Sequence, residues 1–104
     1  MTRSAFVMKL KAGFEDEYRK RHDALWPEMK KALREAGISD YSIYLDPETL
    51  LLFAVQKRAD NAAAEALCDH PAVRKWWSYM KDIMETNPDS SPVSRPLAEV
   101  FHMD

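Results

Sequence analysis

The chain has 104 residues, enough for a single domain, and 46% of them are hydrophobic, enough to bury a small core. Its 15 basic and 17 acidic residues give a net charge of −2, which argues against nucleic acid or an anionic membrane as a partner. The longest apolar run, residues 50–55, is too short to span a bilayer, and the N-terminus lacks the apolar stretch of a signal peptide. The single cysteine, Cys68, cannot form an internal disulfide. We therefore expect one domain over residues 1–104, located in the cytoplasm.

The first predicted elements are a strand over residues 4–10 and a helix that begins at the acidic residues 15–17, where the helix dipole favours negative charge. Acid–base pairs at i,i+4 predict that one face of this helix is solvated: Glu15–Arg19, Asp16–Lys20 and Glu17–Arg21. Tyr18 and His22 are also four residues apart, so they share the opposite face. Pro27 cannot donate a helical hydrogen bond, and we expect the helix to kink or restart there before it ends at Gly37.

The second half of the chain begins with a predicted hairpin, formed by strands 40–46 and 50–57 around the turn residues 46–49. Residues 61–67 predict a short helix. A longer helix follows, with Asp69 as N-cap and Pro71 at its first position, and runs to about Met84. Residues 87–96 contain three prolines and should cross the surface in an extended form, before a last strand at residues 97–102.

This order, β-α-β-β-α-α-β, predicts an α+β fold: a ferredoxin-like split βαβ arrangement with an antiparallel sheet and helices on one face. Residues 5–8 and 50–55 are apolar without alternation, so both faces of these strands need burial while the helices cover only one. We therefore expect a homodimer that packs sheet against sheet, with the C-terminal segment 87–104 helping to form the interface.

The pair of Tyr18 and His22 has two open interpretations. It is either an aromatic residue at the core edge beside a satisfied histidine, or a pair that acts on a ligand. Histidine exchanges protons near neutral pH, so His22 is a candidate general acid or base. Tyr18 could then donate a hydrogen bond to a substrate oxygen.

Two further aromatic sites carry similar alternatives. Trp76 and Trp77 point about 100° apart on a helix, so only one indole can join the core stripe. The other faces the helix flank, a partner subunit or a cleft, where an apolar wall with an N–H donor suits one face of a sugar. Tyr41 shares a strand face with Ile43 and Leu45 and is either core packing with a wet hydroxyl or a ligand contact.

Motifs for metals, phosphates and nucleophiles are missing from the sequence. It has no HExxH, no paired CxxC and no serine nucleophile elbow, and its only two glycines cannot form a phosphate loop. His70 and His102 suit capping or surface roles, and we expect Cys68 to be a buried, inert thiol. No cofactor is expected, which leaves proton transfer and hydrogen bonding to a small polar ring.

The chain resembles the L-rhamnose mutarotase family over its whole length. The double tryptophan, followed by the Asn-Pro-Asp and Ser-Pro-Val run, is the most specific part of the resemblance. The other stretches that carry it are residues 5–8, Glu17-Tyr18 with Arg21-His22, Trp26-Pro27-Glu28, Tyr41 with Ile43-Tyr44-Leu45-Asp46, residues 51–54, Tyr79-Met80 and residues 99–101.

The resemblance implies a dimeric α/β barrel of ferredoxin-like type, cytoplasmic and without a cofactor. It implies that the enzyme interconverts the α and β anomers of L-rhamnose in rhamnose catabolism. It also implies that His22 is the catalytic proton donor, and that the substrate-binding residues are Tyr18, Tyr41, Trp76 and Trp77. For the group that removes the anomeric proton, Asp89, Glu17 and a water molecule stay open.

Two other functions remain as alternatives. A small dimeric oxygenase or haem-degrading enzyme of similar fold would carry a haem absorbance band or act on an oxidisable substrate. A non-catalytic sugar-binding module would bind rhamnose without accelerating anomer exchange.

Overall fold

The computed structural model describes residues 2–104. Four strands form one sheet in the order β2-β3-β1-β4, with every neighbouring pair antiparallel: β1 Thr2–Lys9, β2 Ile38–Asp46, β3 Leu51–Arg58 and β4 Ser94–Leu97. The helices are α1 Glu15–Asp23, α2 Pro27–Glu35, α3 Asn61–Glu65 and α4 Pro71–Met80, with a 3-10 turn at Ala66–Asp69. This is the predicted α+β, ferredoxin-like arrangement. None of the helices within residues 2–104 has both the length and the apolar character that crossing a bilayer requires.

The first helical region restarts at Pro27 instead of kinking. α1 ends at Asp23, and Trp26 has an extended backbone, with φ −60° and ψ 138°, directly before the proline at the first position of α2. The residue before a proline avoids the helical region because the proline ring would clash with it. Gly37, at φ 79°, follows the end of α2 as predicted, and a Cβ there would lie only 2.9 Å from the Cβ of Ala59.

The predicted ends of α4 need correction. His70, not Asp69, caps the helix, because its Nδ1 accepts a hydrogen bond from the Ala72 N–H at 3.1 Å. Asp69 still belongs to the preceding 3-10 turn. The helix ends at Met80, four residues before the predicted end. The chain then turns so that Met84 forms a bridge with Leu10, directly after β1.

The C-terminal segment also differs from the prediction. Residues 87–91 form a turn, closed by the Asn87 N–H donating to the Ser91 carbonyl at 2.8 Å, with Ser90 at φ 71°. The last strand is Ser94–Leu97 and pairs with β1, whereas residues 98–102 are not in a strand. Val100 and Phe101 are 94% and 79% exposed, so the described chain covers little of either side chain.

The two faces of the sheet have different surroundings. On the inner face, Leu52 pairs with Met8 and Leu45, and Ala54 pairs with Phe6 and Ile43. All of them except Leu45, which is 36% exposed, join the core beneath the helices. The outer face is also largely apolar, as the lack of alternation predicted. Its apolar residues are Ala5, Val7, Tyr44, Leu51, Phe53, Val55 and Leu97, of which Tyr44 is 63% exposed.

Candidate active site

A cavity of about 530 Å³ opens between α1, α2, α4 and the inner face of the sheet. This volume is typical of small-molecule sites. Most of the lining is apolar, and the five predicted site residues all contribute to it. They are Tyr18 and His22 of α1, Tyr41 of β2, and Trp76 and Trp77 of α4. The structure thus brings together side chains from three elements that are far apart in the sequence.

The His22 ring is held in one orientation by its own helix. Its Nδ1 lies 3.0 Å from the Tyr18 carbonyl oxygen, which can only accept a hydrogen bond, so Nδ1 carries the proton. The ring stacks on the Tyr18 ring with centroids 4.3 Å apart and meets the Trp76 ring edge-on at 5.4 Å. The Nε2 atom of a neutral His22 therefore keeps a free lone pair.

The surroundings of His22 favour its neutral form. Burial lowers the pKa of His22 from its ordinary value of 6.5, because the charged ring loses solvation. The hydrogen bond to the Tyr18 carbonyl and the nearby Asp23 carboxylate act in the opposite direction but do not reverse the shift. At neutral pH the ring is thus a base with Nε2 available to accept a proton.

Both tyrosines of the site are neutral hydrogen-bonding groups. Burial, and then the neighbouring Tyr41, raise the pKa of Tyr18 well above 10. Burial raises the pKa of Tyr41 to about 12, against a smaller lowering by Arg58. Tyr41 as a whole residue is 37% exposed, so its side chain lies partly in the cavity and partly in solvent. Both phenols line the same cavity.

The two adjacent tryptophans both reach the cavity. Trp76 is 5% exposed and joins the core, while Trp77 is half-buried at its edge. Trp26, from the break between α1 and α2, supports Trp76 edge-on at 5.0 Å and lies 5.3 Å from the Tyr79 ring. The residue patterns alone did not single out Trp26, since a tryptophan before a proline carries no periodic signal.

Arg21 was wrongly placed on the solvated face of α1. Its side chain is only 11% exposed, and its Nε donates to Glu17 at 2.8 Å. Its Nη1 donates to the Tyr79 carbonyl at 2.7 Å and to Asp82 at 2.9 Å, and its guanidinium lies 4.3 Å from the centre of the Tyr79 ring. Asp82 and Glu17 raise its pKa further. Arg21 therefore ties α1 to the C-terminal end of α4.

Neither predicted carboxylate candidate for accepting the anomeric proton lines the cavity. Glu17 is paired with Arg21, and exposed Asp89 accepts hydrogen bonds from Ser91, which lower its pKa. Within residues 2–104 no group of three histidine, cysteine or carboxylate residues is arranged to hold a metal ion. Cys68 is exposed on the 3-10 turn after α3, not buried, because that turn lies outside the core.

The sequence profile of the L-rhamnose mutarotase family matches residues 3–103. The chain belongs to the L-rhamnose mutarotase family. It is 58% identical to an L-rhamnose mutarotase of Phocaeicola vulgatus and 59% identical to one of Bacteroides thetaiotaomicron, with 100% of both chains covered in each comparison.

Solved structures agree with this family assignment. The crystal structure of an L-rhamnose mutarotase from Formosa agariphila, 50% identical and covered completely on both sides, has a TM-score of 0.93. A putative antibiotic biosynthesis monooxygenase from Nitrosomonas europaea, 11% identical, has a TM-score of 0.63 over 97% of this chain and 100% of its own, and shares the fold alone. The fold that the residue pattern predicted, and the family and enzyme class that the resemblance implied, are confirmed.

Proposed function

We propose that this protein interconverts the α and β anomers of L-rhamnose, with His22 moving the protons. The observation that carries the proposal is the free Nε2 of His22 in a cavity walled by two neutral phenols and an indole pair. Membership of the L-rhamnose mutarotase family supports the choice of sugar. The two alternative functions, an oxygenase and a non-catalytic sugar-binding module, have no comparable support.

Mutarotation requires two proton movements at neighbouring oxygens. The anomeric hydroxyl loses a proton, the bond between the anomeric carbon and the ring oxygen breaks, and the ring oxygen gains a proton. The resulting aldehyde then rotates and recloses on its other face. No net proton is gained or lost, so one group that accepts and then donates is sufficient.

His22 suits both roles in turn. Neutral Nε2 accepts the anomeric proton first, and the imidazolium that forms is stabilised by the Tyr18 carbonyl at Nδ1. Because the anomeric and ring oxygens are bonded to the same carbon, the same Nε2–H can then donate to the ring oxygen. His22 is thus the proton donor that the family resemblance implied, after serving as the base. A carboxylate partner is not needed in this scheme.

The remaining site residues bind and orient the sugar. Tyr18 and Tyr41 are neutral near pH 7 and can each donate a hydrogen bond to a sugar hydroxyl. Trp76 and Trp77 provide apolar surface for the less polar ring face and the methyl group. General acid–base catalysis contributes roughly 10²–10⁴-fold, which is enough for a reaction that already proceeds in water.

The test is saturation-transfer NMR on L-rhamnose with the purified protein. Accelerated exchange between the anomer signals is the expected result, and exchange at the rate of buffer alone would refute the proposal. Saturable rhamnose binding without acceleration would indicate a binding module, and a haem absorbance band would indicate an oxygenase. L-mannose, L-fucose and L-lyxose, measured in parallel, would define the sugar specificity.

We also propose that the protein works as a homodimer in the cytoplasm. The apolar outer face of the sheet and the exposed Val100, Phe101 and Met103 of the C-terminal segment support an interface between two copies. The single exposed Cys68 is typical of a protein in a reducing compartment.

A further inference from the structure

Strand β2 changes the face that it presents to the helices partway along its length. Ile38 pairs with Arg58, and Ile43 pairs with Ala54. Arg58 and Ala54 are four residues apart on β3 and so lie on the same, inner face. Ile38 and Ile43 are five residues apart, and in a regular strand they would point to opposite faces. Both nevertheless lie on the inner face, so β2 must contain an irregularity between them.

The irregularity is a bulge at Asp40. Pairing passes from Ser39 with Lys57 to Ser42 with Val55, so β2 takes three steps where β3 takes two. Asp40 has φ 48°, in the left-handed region that residues other than glycine rarely adopt. A bulge of this kind inserts one residue and redirects the side chains that follow it.

The redirected side chains are those of the cavity wall. Tyr41, Ile43 and Leu45 all line the cavity. If β2 continued from Ile38 without the extra residue, all three would turn to the outer face, because a one-residue slip exchanges the faces of a strand. The Tyr41 hydroxyl would then be lost from the site.

We propose that Asp40 is a positioning residue, whose left-handed bulge turns Tyr41 into the cavity for contact with the sugar. The inference rests on the proposed function only for the identity of the sugar. Aspartate is one of the few residue types that tolerate this backbone region. Its carboxylate lies 3.5 Å from the Lys57 ammonium on the neighbouring strand, an exposed ion pair that contributes little to stability. The Asp40 side chain does not line the cavity, so it acts through Tyr41.

Substitutions at Asp40 separate backbone conformation from charge. Asp40→Gly and Asp40→Asn keep access to the left-handed region and should keep the KM for L-rhamnose near that of the unchanged protein. Asp40→Val introduces a β-branched residue, which disfavours the left-handed backbone region. This substitution should raise KM about tenfold, as expected for the loss of one hydrogen bond, and should leave kcat largely unchanged. Glu48→Val, which exchanges a carboxylate for the same new side chain in the exposed turn after β2, is the control and should leave KM unchanged.

A double substitution tests whether the effect passes through Tyr41. In a Tyr41→Phe background, Asp40→Val should raise KM no further, because the phenol it misplaces is already absent. An unchanged KM for Asp40→Val, or an equal increase in both backgrounds, would overturn the proposal. If Asp40→Val does not fold, Asp40→Ala imposes a milder strain and should give an intermediate increase, and no increase there would count against the proposal equally.

A second readout does not depend on activity. Spectrophotometric titration of the tyrosines should show Tyr41 ionising near its raised pKa of about 12 in the unchanged protein. In Asp40→Val its pKa should fall towards 10, because the hydroxyl moves into solvent. The Tyr41→Phe protein lacks this ionisation, so comparison with it shows which step of the titration belongs to Tyr41. If the unchanged protein does not exchange rhamnose anomers, the proposed function fails, while this titration still decides the role of Asp40.

Discussion

At the scale of single residues, the environment of His22 determines the protonation state and the tautomer of its ring. A histidine on a helix surface would be partly protonated near pH 6.5. Here the packing of Tyr18 and Trp76 around the ring removes water and lowers its pKa, and the Tyr18 carbonyl selects the tautomer with Nε2 free. In the proposed mechanism, the resting enzyme therefore presents a base to the sugar.

The first prediction concerns pH. Protonated His22 cannot accept the anomeric proton, so enzymatic exchange should rise with pH through a midpoint below 6.5 and stay level through neutral pH. The measurement is the saturation-transfer rate constant across this range, after subtraction of the buffer rate. A rate that is greatest on the acid side of the midpoint would show that imidazolium, not imidazole, is the resting catalyst.

The second prediction concerns removal of the imidazole. His22→Asn should reduce the exchange rate by roughly 10²–10⁴-fold, because the imidazole is the general base and acid of the proposed mechanism. His102→Asn is the matched control, since His102 lies on the surface beside Arg3 and Asp104, and its rate should be unchanged. A His22→Asn protein with the full rate would remove His22 from catalysis.

At the scale of secondary-structure elements, the site depends on how α1 is fixed against α4. α1 carries Tyr18 and His22, and α4 carries Trp76 and Trp77. Arg21 joins the two helices through the Tyr79 carbonyl and the carboxylate of Asp82, 61 residues away in the sequence. Its bonds to a carboxylate and to a helix-terminal carbonyl are charge-assisted, and such bonds are stronger than neutral ones.

The third prediction follows from this connection. Arg21→Met should lower the free energy of unfolding by about 1–2 kcal/mol, because charge-assisted hydrogen bonds between the two helices are lost while the exposed Asp82 remains solvated. Lys20→Met removes the same charge from an exposed position one residue earlier and should change stability little. Chemical denaturation followed by circular dichroism measures both. Equal stability of the two variants would contradict the assigned role.

At the scale of the whole molecule, the sheet has more apolar surface than one copy of the chain covers. The helices pack on the inner face only, and the outer face retains Tyr44, Phe53 and Val55 beside the apolar C-terminal segment. Exposed apolar surface of this kind is typical of an interface. A two-fold dimer would bury the same patch on both copies.

The fourth prediction tests this interface. Tyr44→Glu places a charge on the outer face and should shift the protein towards monomer, because an unpaired charge is costly to bury. Ala62→Glu adds the same charge to an exposed position of α3 and should leave the dimer intact. Sedimentation velocity at several concentrations distinguishes the two. An unchanged protein that sediments as a monomer throughout would refute the proposed dimer.

Most of the fold could be predicted because it depends on local patterns. The element order, the break at Pro27 and the hairpin at residues 46–49 follow from spacing, proline chemistry and turn residues, and all three are present. Three predictions were wrong: α4 ends at Met80 and not near Met84, β4 is Ser94–Leu97 and not residues 97–102, and Cys68 is exposed and not buried. Each depends on where a segment meets the rest of the fold, which local patterns do not specify.

The sequence by itself determined the family, through the motifs that it shares with L-rhamnose mutarotases. It also determined the pairing of Tyr18 with His22, because any α-helix places residues that are four apart on the same face. The tertiary structure decided what that pair can do. Burial against Trp76 lowers the pKa of His22, Arg21 joins two distant helices, and the bulge at Asp40 turns Tyr41 inward. These features arise from contacts and strand register between residues far apart in the chain, and so they exist only once the chain has folded.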